Sequence, residues 1–544
     1  MSSIDWIILV GTLSAIIIYG VYKSHTTKNL DGYFLSNRDM PWYLVLLSIM
    51  GTQASAITFL SAPGQAYTDG MRFVQYYFGL PLAMIVICVV FVPVFNRLKV
   101  YTAYEFLENR FDLKTRTLTS FLFQVSRGLS TGISIYAPSL ILSSLLGWNI
   151  YYTNIIMGGL LIIYTVTGGA KAVAHTQKLQ LIIIICGMLI AGYVVVHLMP
   201  ANVGFADALH IGGRSGKMNI ITSGRTVSGF DWKDKYNIWS GIIGGFFLAL
   251  SYFGTDQSQV GRYLTAQNNR QSKLGLLING IVKVPMQFLI LMLGVLVFSF
   301  YQFHKAPIYF NEAQVISAKK TPYRDSLISL ESSYAKVSPD DTLQKNIINK
   351  EYKNILSKAL PGEEINDTNF IFLRFVIDYL PKGLVGLLIA VIFLAAWGSI
   401  AAALNALASC SVVDIHKIFF KKDLTHRMDY RISKIYTLGW GIFCIAVAEF
   451  ASNLGNSLIE TVNILGSLFY GVILGIFLVA FWFRQIKANA TFIASVVAEI
   501  FVIVIYKADV ISFLWLNVIG AVLVVIIGYI LQLFMKKEAT GNKQ

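Results

Sequence analysis

Apolar stretches of membrane-crossing length recur along the whole chain, separated by short polar connections. About 20 apolar residues cross the hydrocarbon core of a bilayer. About thirteen stretches approach that length and predict transmembrane helices: 6–22, 42–67, 73–95, 118–146, 150–167, 179–199, 238–254, 274–300, 384–413, 435–450, 458–482, 490–506 and 510–534. Two longer polar segments interrupt the series. Residues 201–235 are rich in Gly and Ser and read as an external loop. Residues 302–369 carry helix-like polar patterning and predict short surface helices outside the membrane. The pattern predicts an all-α integral membrane protein.

Composition agrees. The chain is 55% hydrophobic and 13% charged, with a mean hydropathy of +0.62, too apolar for a soluble protein to cover its own surface. The formal net charge is +15. A basic balance can mark nucleic-acid binding, but here the basic residues sit between apolar runs, where they report orientation. With the N-terminus outside, the inner connections hold Lys23, Lys28, Arg38, Arg97, Lys99, Arg110, Lys114, Arg116, Lys171, Lys178, Arg262, Arg270 and Lys273. Further along they hold Lys417, Lys421, Lys422, Arg427, Arg431, Lys434, Arg484, Lys487, Lys536, Lys537 and Lys543. The opposite short loops hold far fewer, which predicts N-terminus outside and C-terminus in the cytoplasm. The first apolar run has no basic flank or small-residue cleavage site and reads as a retained helix. The four cysteines lie inside apolar runs without metal-ligand spacing. No phosphate-binding glycine loop is present, which argues against an ATP-driven pump.

A solute carrier needs a site near mid-membrane, commonly built where helices are interrupted and backbone groups are freed. Three segments carry that signal. In the second span, Gly51-Thr52-Gln53-Ala54-Ser55 is small and polar between apolar turns; the competing reading is close helix packing by small residues. The seventh span passes into Ser251, Tyr252, Gly254, Thr255 and Asp256, and Asp256 reads there as an ordinary residue at the membrane boundary. The third segment, residues 383–417, is long, rich in Ala and Ser, and holds one Asn; Ser399 could offer an oxygen to a hard cation, against a back-bond to its own helix. The second and seventh spans are five helices apart, the spacing of two inverted five-helix repeats.

Six strings in order carry a family resemblance: "DGYFLSNRDMPWYLV", "YTAYEFLENRF", "YAPSLILSSLLGWN", "YTVTGGAKAVAHTQKLQ", "DQSQVGRYLTAQNNRQSKLGLLING" and "LPKGLVGLLIAVIFLAAWGSIAAALNALASCSVVDIHK". The chain resembles the sodium:solute symporter family of sodium/glucose cotransporter type. It lies nearer the monocarboxylate, vitamin and sialic acid carriers than the sugar carriers. The resemblance implies a LeuT-type fold. It divides the chain into an extra N-terminal helix and loop (1–40), a first repeat (41–200), the external loop (201–235), a second repeat (236–482) containing the 302–369 insertion, and two peripheral helices with a cytoplasmic tail (483–544).

The resemblance also implies site residues. The family's sodium site falls on the carbonyls of Gly51, Ala54 and Ala395 and the hydroxyl of Ser399. A second family serine is Gly398 here. A further sodium site in some members uses an Asp that is Gln177 here, facing serines that are Gly398, Ala401 and Ala402. Losing carboxylate and hydroxyls removes what a second cation needs, so one co-transported sodium per cycle is expected. The sugar-ligand positions are Thr58, Tyr77, Ala249 and Val462, with only Lys283 retained. The carboxylate-binding positions of sialic acid carriers fall on Ser55, Thr58 and Arg127. Arg127, within a membrane helix, matches a carboxylate bidentately; the competing readings are snorkelling or a structural ion pair. Thr52, Gln53, Gln75, Tyr252 and Lys283 complete the expected solute site.

The expected function is sodium-coupled symport of a small organic anion across the cell (inner) membrane, with the bilayer and the solute as partners. No nucleic acid or obligate protein partner is expected. The alternatives are a carrier of neutral sugars or polyols and a transporter-like sensor. The sequence shows no HExxH, no GxSxG and no paired carboxylates in a span, so no enzyme is expected.

Overall fold

The computed structural model describes residues 1–23, 29–337, 341–363, 365–420, 425–451 and 457–541. Lys28, Lys421, Lys422 and Lys543, used above for orientation, lie outside the described residues. The fold is all-α and multi-pass. Its membrane helices are α1 (Ser3–Lys23), the bent pair α2 (Trp42–Gln53) and α3 (Ala56–Asp69), α4 (Met71–Leu98), α5 (Leu113–Leu146), α6 (Ile150–Val166) and α7 (Gly169–His197). They continue as α8 (Ser240–Gly254), α9 (Gln257–Tyr263), α10 (Asn269–Phe303), α11 (Leu384–Cys410), α12 (His426–Phe450), α13 (Leu458–Trp482), α14 (Ala488–Lys507) and α15 (Phe513–Gly541).

The count of thirteen spans is corrected. Among the described residues ten helices are long and apolar enough to cross a membrane, eleven if α2 and α3 form one bent span. The two that fall short are α6 and α8. Gly169 adopts φ +60° and separates α6 from α7, a conformation that an L side chain resists. At the other, Thr255 ends α8 and Asp256 starts α9 as its N-cap. A third difference concerns α11, which runs unbroken from Leu384 to Cys410 before a π turn at Ser411–His416. Its alanines favour helix, and its small residues serve close packing. It is the most enclosed span, with 89% of its apolar window buried.

The helix α1 is tied to that central helix. The buried Asp5 accepts hydrogen bonds from the Gly383 and Gly386 amides at 2.6 and 3.2 Å. It thereby supplies the missing partners for the first turn of α11. A Cβ on Gly386 would lie 2.1 Å from the Asp5 carbonyl oxygen, so the two backbones touch. Outside the bundle, residues 201–235 hold a helix, Phe205–Arg214, and a two-stranded hairpin, Arg225–Thr226 with Gly229–Phe230. The 302–369 insertion holds Glu312–Ala318, Arg324–Lys336 and Thr342–Ala359 around a small apolar cluster of its own.

Candidate functional site

The first helix break is built from the small polar patch of the second span. Between α2 and α3 the axis turns by 58°. Ala54 has φ −85°, ψ 79°, and Ser55 starts α3 with an extended backbone. The break redirects two amides. Ser55 N–H bonds the Gln53 carbonyl at 3.1 Å, and Thr58 N–H bonds the Ser55 carbonyl at 3.0 Å. In a regular helix these amides would serve Gly51 and Ala54. Those are two of the three carbonyls that the family resemblance assigns to sodium. On α11, the Ser399 hydroxyl donates to the Ala395 and Ala396 carbonyls at 3.1 and 3.0 Å. The back-bond of the competing reading is therefore present. It uses the proton only, and the two lone pairs of the oxygen remain acceptors for a cation.

Gln177 of α7 sits beside this site. Its amide nitrogen donates to Thr52 Oγ1 at 3.1 Å and to the Gly398 carbonyl at 3.0 Å, and its oxygen accepts from Ser48 Oγ at 2.8 Å. Where a second ion would require oxygens, the chain presents an N–H pair already bonded to them. A Cβ on Gly51 would come within 2.9 Å of Gln177, so α2 and α7 approach closely only because Gly51 is there.

A cavity of about 120 Å³ opens from the break. Of the expected solute residues, Thr52, Gln53, Ser55, Thr58, Arg127 and Tyr252 line it, and so does Ser399. Gln75 does not. Its amide nitrogen donates to the Tyr236 carbonyl and its oxygen accepts from the Thr222 amide, so it fastens the 201–235 loop instead. Lys283 is fully buried in α10 but off the cavity wall, with its Nζ 5.5 Å from the centre of the Tyr77 ring. Neither lines the cavity.

The reading of Asp256 as a boundary residue is also corrected. Its side chain is fully enclosed. Oδ2 accepts from Arg127 Nε at 3.1 Å, from Arg127 Nη2, and from Tyr470 O–H at 2.8 Å. Oδ1 accepts from the Ser258 amide at 2.8 Å and the Ser258 hydroxyl at 2.6 Å, which caps α9. Arg127 Nη2 also donates to the Tyr470 oxygen at 2.6 Å, and its guanidinium carbon lies 5.3 Å from the centre of the Tyr252 ring. The second break thus places a carboxylate behind the arginine. Arg127 is the one charged side chain that lines the cavity among the described residues.

Sequence reasoning missed Asp256, Tyr470, Thr131, Ser134 and Asn463 as cavity or supporting residues. Helical spacing holds a signal for most of them. Thr131 and Ser134 lie one and two turns beyond Arg127 on its face of α5, and Asn463, Gly466 and Tyr470 share one face of α13.

Residues 33–323 and 343–498 match the Sodium:solute symporter family. The chain belongs to that family. It is a sodium-coupled secondary transporter of a small organic solute, not an enzyme. Similar proteins include the sodium/sialic acid symporter NanT of Aliivibrio fischeri, 25% identical over 99% of this chain and 95% of that one. The sodium/sialic acid symporter SiaT of Proteus mirabilis is 26% identical over 97% and 94%. The human sodium-coupled monocarboxylate transporter 1 is 26% identical over 87% of this chain and 68% of its own. A solved structure of a Na⁺-coupled sialic acid symporter in its substrate-bound outward-open state covers 98% of both chains at 24% identity, with a TM-score of 0.78. The symporter shares that fold.

Proposed function

We propose that this symporter imports a small organic carboxylate together with one sodium ion. The observation that carries the reading is the cavity itself. Residues of the first break, Thr52, Gln53 and Ser55, line it together with Ser399, and Arg127 is its one charged wall residue among the described residues. Gly51, Ala54, Ala395 and Ser399 would hold the ion through oxygen, as a hard cation requires. The hydrogen-bonding lining of Thr52, Gln53, Ser55, Thr58, Thr131, Ser134 and Asn463 would receive a polar solute body, with Arg127 facing its carboxylate. The names of the similar proteins, sialic acid and monocarboxylate carriers, support the same class. The small volume favours a compact acid, since typical ligand pockets are roughly 300–1,000 Å³.

The two breaks, in α2–α3 and α8–α9, would be equivalent points of two inverted repeats within 41–200 and 236–482. The basic inner connections support a cell-membrane orientation with N-terminus outside and C-terminus in the cytoplasm. The extra helix of 1–40 and the pair within 483–544 would lie at the periphery. Sodium binding from outside would draw α2–α3 and α11 together, favouring the state that receives the solute. A ligand moves such an equilibrium only by binding the two states unequally.

The test is uptake into proteoliposomes. N-acetylneuraminate, lactate, pyruvate and a neutral sugar are offered with and without an inward sodium gradient. Sodium-driven uptake of an acid is expected, and Arg127→Ala should abolish it. Uptake of the sugar alone, untouched by Arg127→Ala, would remove the carboxylate reading.

A further inference from the structure

We infer that Asp256 is a positioning residue that makes anion binding depend on sodium, by cancelling the Arg127 charge at the cavity wall. The inference rests on the carboxylate reading above. Three observations support it. First, the Asp256 side chain is wholly enclosed while 11% of the Arg127 side chain is exposed, so a solute meets the arginine and not its counter-ion. Second, Asp256 is fixed. Oδ1 is committed to capping α9 through Ser258, and Oδ2 is shared by Arg127 and Tyr470. Tyr470 is itself anchored, since the Ser251 hydroxyl donates to its carbonyl at 2.7 Å. Third, Arg127 and Ser399, the proposed sodium ligand, line one cavity, so charges placed at either position act on each other across it.

The consequence follows from charge count. Arg127 with Asp256 sums to zero. Sodium alone would leave the cavity at plus one, and a carboxylate alone at minus one. Each is costly beside a pair as deeply buried as Arg127 and Asp256. Together they restore neutrality, so each favours the other. Without Asp256, Arg127 would greet the anion unaided and repel the cation. Without Arg127, Asp256 would attract the cation and repel the anion. The two single substitutions therefore act on sodium affinity in opposite directions, which loss of packing alone would not produce.

The experiment uses the purified full-length protein. Sodium is titrated against choline by intrinsic tryptophan fluorescence with no organic anion present. Asp256→Asn, which retains an oxygen to cap α9, should weaken sodium binding about ten-fold. Arg127→Gln should strengthen it by a similar factor. The double variant should return near the wild-type value. Binding of N-acetylneuraminate, lactate and pyruvate is then measured with and without sodium. Wild type should need sodium, whereas Asp256→Asn should bind the acid without it. Shifts of the two single variants in the same direction, or no shift, overturn the inference. Opposite sodium shifts in a wild type that binds none of the acids uphold the charge balance and remove the carboxylate reading instead.

Discussion

Ser399 is the only side-chain oxygen among the four expected sodium ligands. Its hydroxyl already turns its proton inward, toward Ala395 and Ala396. Removing the oxygen would take one ligand from the proposed site, where Gly398 stands in place of the second serine that the resemblance implies. Ser399→Ala should raise the sodium concentration for half-maximal uptake by roughly ten-fold, the scale of one lost charge-assisted contact. An unchanged activation curve would take Ser399 out of the site. Gln177 points to a single ion for a related reason. Its N–H groups already occupy Thr52 and the Gly398 carbonyl, so sodium activation of wild-type uptake should be hyperbolic, and a sigmoidal curve would call for another ion site. These residues could be placed from the family match because a ligand's identity shows in its own side chain. Arg127 was legible in the same way, as a cation inside an apolar helix. Its partner was not. Asp256 lies 129 residues away, and nothing in local periodicity joins α5 to the second break. Gln75 and Lys283 fail for a neighbouring reason: their helices were placed, but the facing of one side chain depends on packing that residue type does not reveal.

At the level of elements, interruption was easier to read than length. The Gly51–Ser55 patch predicted a break, and the chain bends there. Small polar residues neither bury apolar surface nor hold a helix strongly. The spans at α6 and α8 were overcounted because hydropathy records apolar content, whereas their ends are set by a positive φ at Gly169 and by the Asp256 cap. The contact of α1 with α11 was also invisible in sequence, since Asp5 reads there as one acid at a chain end. In the structure it completes the first turn of α11. Asp5→Ala should leave those amides without an acceptor and cost about 1 kcal/mol or somewhat more. A lowered unfolding temperature in detergent would report this, and Asp5→Asn, which keeps an acceptor oxygen, should recover most of the loss. If alanine leaves the unfolding temperature unchanged, the cap does not stabilise α11.

For the whole molecule, the proposed stoichiometry has an electrical consequence. A charge crossing the membrane field is worth about 2.3 kcal/mol per 100 mV, so voltage drives any cycle that moves net charge. In this symporter the Arg127–Asp256 pair belongs to the protein and contributes no transported charge. One sodium ion and one monocarboxylate carry zero between them. Uptake should therefore follow the sodium gradient and be insensitive to an imposed potassium-diffusion potential, and solid-supported membrane recordings should show no sustained solute-dependent current. The same recordings separate the alternatives. A neutral solute with one sodium would carry one positive charge inward, as would a monocarboxylate with two. Sodium activation distinguishes those two, because only the second requires another ion. A steady inward current with hyperbolic sodium dependence would thus point to a neutral solute and return Arg127 to a purely structural pair with Asp256.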